Sequence, residues 1–147
     1  MRIYLDNCSF NRPFDPQSQL KIKLETEAKL YIQSEIINGR FELAWSYILE
    51  YENSENPYQE RKETILIWKN IAVINCDANE DVVKLAEEFG SIGLKAKDAL
   101  HLACAIYTNC EFFITTDAKV LNKTIERIKV INPIDFIKSM EGDNDED

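Results

Sequence analysis

At 147 residues with 45% apolar content, the chain has the size and composition of one ordinary domain with a genuine core, which excludes a two-domain reading. The net charge of -9 weighs against a general phosphate-binding surface, but five of the 26 acidic residues fall in the last seven positions, leaving 21 acids against 17 bases over residues 1–140. No apolar run approaches the roughly 20 residues of a membrane span, and Arg2 with its short apolar run does not resemble a signal peptide, so a cytoplasmic location without membrane attachment is expected. Arg2–Leu5 is β-branched and aromatic and reads as a strand, followed by a proline-marked loop around Asn11-Arg12-Pro13. From about Ser18 to Asn38, Leu20, Leu24, Ala28, Tyr31, Ile32 and Ile36 recur at helical spacing, with Lys21/Glu25 and Lys23/Glu27 expected on the wet side and Asn38-Gly39 as the stop. Phe41–Trp45 reads as a second strand, with Ser46 capping a helix that carries Glu50, and Pro57 opens another helix to about Lys69.

Ile71–Cys76 is a third strand candidate, and Asp77 or Asn79 caps a helix containing Val82, Leu85, Ala86 and Phe89. Ala96–Tyr107 is apolar almost all round, the pattern of a buried helix, with Asp98 in its first turn where the macrodipole favours negative charge. Phe112–Ile114 and Ile128–Ile131 supply two final strands around a helix near Lys119–Ile125, and Pro133 starts a closing helix. The acidic segment 141–147 reads as a disordered tail after a domain spanning 1–140. Alternating strands and helices predict a three-layer α/β/α sandwich with a central, mainly parallel sheet of four to five strands.

Four acids stand beside apolar sequence: Asp6, Glu50, Asp98 and Asp117. A carboxylate so placed is costly to desolvate without a cation or hydrogen-bond partner. Ligand sites in open parallel sheets lie outside the carboxyl ends of the strands, which predicts that Asp6, Glu50 and Asp117 meet on one edge. Asp98 must be brought there by the loop from Gly90 to Ala96. Such a cluster would suit hard, oxygen-seeking cations, and these four acids account for the charge left once the tail is set aside. Between Lys95 and Lys129 six bases oppose four acids, a locally basic setting for Asp98 and Asp117. Taken singly, Asp98 reads equally as a helix-start charge and Asp117 as an N-cap. His101 reads as a packed residue of a buried helix. Cys8, Cys76, Cys104 and Cys110 form no C-x-x-C pair and read as reduced thiols rather than a zinc site.

A hydrophobic strand ending in Asp6-Asn7, then Ser46-x-x-x-Glu50, Lys97-Asp98-Ala99-Leu100-His101-Leu102-Ala103 and Thr115-x-Asp117, in this order, resembles the PIN domain of VapC-type ribonuclease toxins over about residues 1–138. The resemblance implies a metal-dependent endoribonuclease of the PIN-like fold acting on single-stranded RNA or an RNA loop. Asp6, Glu50, Asp98 and Asp117 would be its catalytic acids and ligands for Mg²⁺ or Mn²⁺, with 5′-phosphate and 3′-hydroxyl products. Asn7 and Thr115 match accessory polar positions, although many relatives carry Thr or Ser where this chain has Asn7. Lys95, Lys97, Lys119 and Arg12 are candidate phosphate contacts, since backbone contacts supply most non-specific affinity. The resemblance further implies RNA as substrate, a small antitoxin as protein partner and a homodimer. The alternative is a catalytically silent PIN-like module that binds RNA or protein. A phosphate-loop ATPase is disfavoured because G-x-x-x-x-G-K is absent.

Overall fold

The computed structural model describes residues 1–142. Five strands form one sheet: β1 (Arg2–Leu5), β2 (Glu42–Ser46), β3 (Ile74–Cys76), β4 (Phe112–Ile114) and β5 (Lys129–Ile131). Their spatial order is β3-β2-β1-β4-β5, and every pairing is parallel. β1 is therefore central, and the chain grows outward from it first through β2 and β3, then through β4 and β5. The change of direction falls between β1 and β4, where such sheets open a crevice at their carboxyl ends.

Eight α-helices complete the described chain: α1 (Asn7–Asn11), α2 (Leu20–Ile37), α3 (Tyr47–Ser54), α4 (Gln59–Ile71), α5 (Glu80–Gly90), α6 (Ala96–Tyr107), α7 (Ala118–Leu121) and α8 (Pro133–Gly142), with a 3₁₀ turn at Arg12–Phe14. Ile3, Tyr4 and Leu5 are all fully buried, as a strand covered on both faces requires. On one face, Tyr4 stacks on Phe113 (centroids 5.3 Å apart) and meets His101 of α6 edge-on at 5.7 Å. On the other, Trp45 packs against Phe10 of α1, and Phe112 and Phe41 pack against Phe136 of α8. These are the three layers expected. Burying each such large apolar side chain contributes about 1.5–3 kcal/mol.

The elements differ from the sequence-based expectation at several boundaries and in the facing of one helix. α4 runs on to Ile71 and shortens β3 to Ile74–Cys76, and α7 ends at Leu121. α8 includes Glu141 and Gly142, while the rest of the expected acidic tail, 143–147, lies outside the described residues. The helix that faces differently is α2. Ala28, Ile32 and Ile36 are buried as expected, but Leu20, Leu24 and Tyr31 are exposed, whereas Glu25, Lys29 and Gln33 are buried. Glu25 does not pair with Lys21 in solvent; its carboxylate faces the Arg12 guanidinium at 3.4 Å. α2 is apolar on more than one side, so spacing alone does not select its inner face. The helix ends as predicted, with Gly39 at φ +82° just past its C-cap. Among the described residues, no helix is long and apolar enough to cross a membrane.

Candidate active site

Three strand ends bring polar side chains to the carboxyl edge of the sheet. Asp6 follows β1 and caps α1, its Oδ1 accepting from the Ser9 backbone N–H at 3.0 Å. Ser46 ends β2 and caps α3 through the Leu49 N–H at 3.2 Å. Thr115 and Asp117 follow β4, and Asp117 caps α7 by accepting from the Lys119 N–H at 2.9 Å. Capping and clustering are therefore not alternatives here, because the strand-to-helix turns that need caps lie on the edge where a site forms. The Thr115 hydroxyl joins two of the acids. It donates to Asp6 Oδ2 and accepts from the Asp117 backbone N–H at 3.0 Å.

Glu50 and Glu52 lie on opposite sides of α3. Glu50 is exposed on the outer side of α3, paired with Lys69 of α4. Glu52, three residues after buried Leu49 and four after buried Ile48, faces inward. Its Oε1 is hydrogen-bonded to His101 Nε2, and its Oε2 accepts from Asn7 Nδ2 at 3.3 Å. Behind it, His101 Nδ1 and Ser46 Oγ each lie 2.6 Å from the Tyr4 hydroxyl. Helical periodicity carried the missed signal: residues two apart on a helix point about 200° apart, so Glu50 and Glu52 cannot share a face.

Charge coupling places Glu52, rather than Glu50, with the other acids. The Cys8 thiol is pushed up to about 12 by desolvation and then by the negative charges of Asp6, Asp117, Asp98 and Glu52. Asp98 is raised above the ordinary carboxylate range by desolvation and the charges of Asp117 and Glu52, against the opposing pull of His101 and Lys95. Asp6, almost fully buried, is raised by desolvation, although Thr115, His101 and Ser9 all favour its charged form. Asp98, which follows the Gly90–Ala96 loop, shares a cleft with Lys95 and with Lys119, two residues after Asp117. His101 follows Asp98 by one turn on the same face of α6, which ties the buried hydrogen-bond chain to the acidic cluster.

The accessory positions divide. Asn7 and Thr115 touch the acids directly. Arg12 is neutralised by Asp15 at 3.0 Å and Glu25 at 3.4 Å, so it is not a free phosphate contact. Lys97 lies over the Tyr51 ring, 5.5 Å from its centroid, on the outer side of α3. Lys95 and Lys119, with Lys123, instead line a cleft of about 290 Å³ beside Asp98. Gly93, at φ +94°, makes room there: a Cβ would lie 3.1 Å from Lys123 Nζ. All four cysteines are free, with Cys8 exposed and the others buried.

The PIN-domain family model matches residues 3–126. The chain belongs to the PIN-domain family. PIN-domain proteins are generally nucleases and generally use divalent metals. A solved structure described as VapBC2 from Rickettsia felis bound to a DNA fragment from their promoter contains a chain similar to this PIN domain: 20% identity over 90% of this chain and 98% of that one, with a TM-score of 0.57. At that identity the likeness speaks for the fold alone. No curated protein sequence matches this chain.

Among the described residues of this PIN domain, no three acidic, histidine or cysteine side chains stand close enough to form a ready-made metal cage. The donor chemistry nevertheless fits a hard cation. The side chains are carboxylates, and the charges of Asp117 and Glu52 raise the pKa of Asp98, a repulsion that a cation beside them would relieve. Mg²⁺ usually keeps several waters and takes only one or two protein carboxylates, so it needs no closed cage.

Proposed function

We propose that this PIN domain is a Mg²⁺- or Mn²⁺-dependent endoribonuclease whose acidic centre comprises Asp6, Glu52, Asp98 and Asp117, with Glu50 outside it. The observation that carries the reading is the Thr115 hydroxyl joining Asp6 to the Asp117 turn at the β1/β4 crevice, together with a cleft lined by Asp98, Lys95, Lys119 and Lys123. Anionic RNA approaching four acids is repelled unless a cation intervenes, whereas lysines alongside attract the flanking phosphates.

The residues divide the work by how they are held. Asp6 is fixed by Ser9 and Thr115, and Glu52 by His101 and Asn7, so both are suited to hold a cation without moving. Asp98 is half-buried with a raised pKa, which makes it the carboxylate best suited to accept a proton from the attacking water. Asp117 orders the β4 end and adds its charge to Asp98. A bound divalent ion would lower the pKa of water and neutralise charge on the phosphate. Hydrolysis would leave a 5′-phosphate and a 3′-hydroxyl.

The similarity to a chain of a VapBC complex supports a role as the toxin of a toxin–antitoxin pair, with a small antitoxin as partner. A homodimer belongs to the same reading. The rival is a catalytically silent RNA- or protein-binding PIN module, favoured by the absence of a ready-made cage among the described residues. Purified protein incubated with RNA and Mn²⁺ separates them. Cleavage that is abolished by Asp6→Asn and by Asp98→Asn, in variants that still unfold cooperatively, supports the nuclease; intact RNA and no Mn²⁺ binding would refute it.

A further inference from the structure

A second cleft, of about 440 Å³, opens on the other side of the acids, between α1 and the α3–α4 connection. Cys8 and Glu52 are among its lining residues. Along it runs a row of three amides, two from α1 and one from the α3–α4 connection: Asn56 Nδ2 donates to Asn11 Oδ1 at 3.3 Å, and Asn11 Nδ2 donates to Asn7 Oδ1 at 3.0 Å. Tyr58 and Arg61 also line it. The Arg61 guanidinium lies 4.1 Å from the Tyr58 ring centroid and 5.3 Å from that of Phe14, pinned by a bond from Nη2 to the Phe14 carbonyl at 3.1 Å.

Resting on the nuclease reading of the acidic centre, we infer that this cleft is a recognition subsite for one unpaired base of single-stranded RNA, the base of a nucleotide next to the scissile phosphate. Charge argues against a phosphate. Arg12 and Arg61 are outnumbered in the lining by Asp15, Glu52 and Glu55, and Arg12 is already paired. The unused hydrogen-bonding capacity argues for a base. Each amide NH₂ has two hydrogens. Asn7 and Asn56 each spend one on another side chain, to Glu52 and Asn11 respectively, while the Asn7 and Asn11 carbonyl oxygens each accept a single side-chain bond. The row therefore offers donors and acceptors together, the complement of a base edge. In duplex RNA that edge is engaged in pairing, so the cleft selects unpaired strands. The Tyr58–Arg61 plate supplies the stacking surface on which splayed-out bases rest.

The subsite is tested by equilibrium binding, independent of cleavage, in full-length protein carrying Asp98→Asn. The probes are fluorescent RNA hexamers of each base, a hexamer with abasic riboses, and a duplex. At least one base-containing hexamer binds on the order of 5- to 100-fold more tightly than the abasic one, the range of a single base–aromatic stack. Asn56→Ala and Arg61→Ala each remove most of that difference while leaving affinity for the abasic hexamer, and the unfolding midpoint, near those of the parent. Equal binding of base-containing and abasic strands, discrimination that survives both substitutions, binding of duplex as tight as single strand, or no binding of any probe overturns the proposal. Cleavage by wild-type protein with Mn²⁺ is scored separately. Base discrimination without cleavage keeps the subsite and removes the nuclease, whereas cleavage without discrimination keeps the nuclease and removes the subsite.

Discussion

Glu52 of α3 and His101 of α6 are hydrogen-bonded to each other, 49 residues apart in sequence, with the Tyr4 hydroxyl bonded to the far nitrogen of the same imidazole. A carboxylate oriented by a histidine whose other nitrogen is also held resembles the way outer partners orient metal ligands in proteins generally. Removing such an outer partner costs 10- to 100-fold in metal affinity or activity. We expect His101→Ala to lower Mn²⁺-dependent RNA cleavage by about that factor and Glu52→Gln to lower it further. Glu50→Gln should stay within about threefold of wild type, because its partner among the described residues is Lys69 in solvent, and such exposed pairs are worth little. Side-by-side initial rates on one RNA substrate check this; equal losses for the two Gln variants would reject the reassignment.

Asp98 makes a stability prediction with a definite sign. Its folded pKa is raised above its unfolded one, so its charged form is disfavoured by folding. The stabilising contribution belongs to low pH, is lost as pH rises through the folded value, and leaves a penalty at neutral pH. Asp98→Asn should therefore raise the unfolding midpoint at pH 7, by about 2–4 °C for each 1 kcal/mol relieved. The gain should shrink as the pH falls below the carboxylate range. Mn²⁺ should raise the midpoint of the wild-type protein and raise that of the variant less, as thermal melts with and without the ion will read.

Thr115 tests the link between β1 and β4. Its hydroxyl donates to the buried carboxylate of Asp6 and accepts the Asp117 N–H. Thr115→Val leaves both without that partner. A hydrogen bond to a charged group contributes about 1.5–3 kcal/mol, so a loss of that order in denaturant unfolding is expected. Thr115→Ser, which keeps the hydroxyl, should recover most of it.

Lys29 is a buried cation on α2, its ammonium 5.4 Å from the Phe10 ring centroid. Desolvation lowers its pKa to about 7. The unfolded chain, with an ordinary lysine near 10.4, binds more protons between those values, so this group makes stability rise from about pH 7 to about pH 10. Below pH 7 its penalty is fully present. Lys29→Met, of similar length, should stabilise the protein at pH 6 by on the order of 2–4 kcal/mol, with the difference vanishing near pH 10. Urea titrations at pH 6, 8 and 10 measure it, and a pH-independent difference would contradict the assignment.

The exchange of Glu50 for Glu52 and the turning of α2 have one physical origin. In both helices more than one side carries residues able to serve as the inner face, so propensity and spacing permit several rotations. In α3, the Ser46-x-x-x-Glu50 phrase and the helical phase of Ile48 and Leu49 point to different glutamates, and it is Glu52 that meets His101 of α6. In α2 no such choice was legible. The buried Glu25 depends on Arg12, thirteen residues upstream, and exposed Leu20 and Leu24 match the apolar pattern as well as buried Ile32 and Ile36 do.

By itself the sequence determined the strand–helix alternation and the parallel sheet. It also set Asp6 and Asp117 just beyond the ends of their strands, because period, caps and chain order are local properties. Tertiary structure decided which glutamate turns inward and set Asp98 in one cleft with Lys119 and Lys123. It also set Asn56 against Asn11 and neutralised Arg12 with Glu25. Each of these depends on packing between segments far apart in the chain, where the energy of burial and pairing outweighs any preference a short stretch can express.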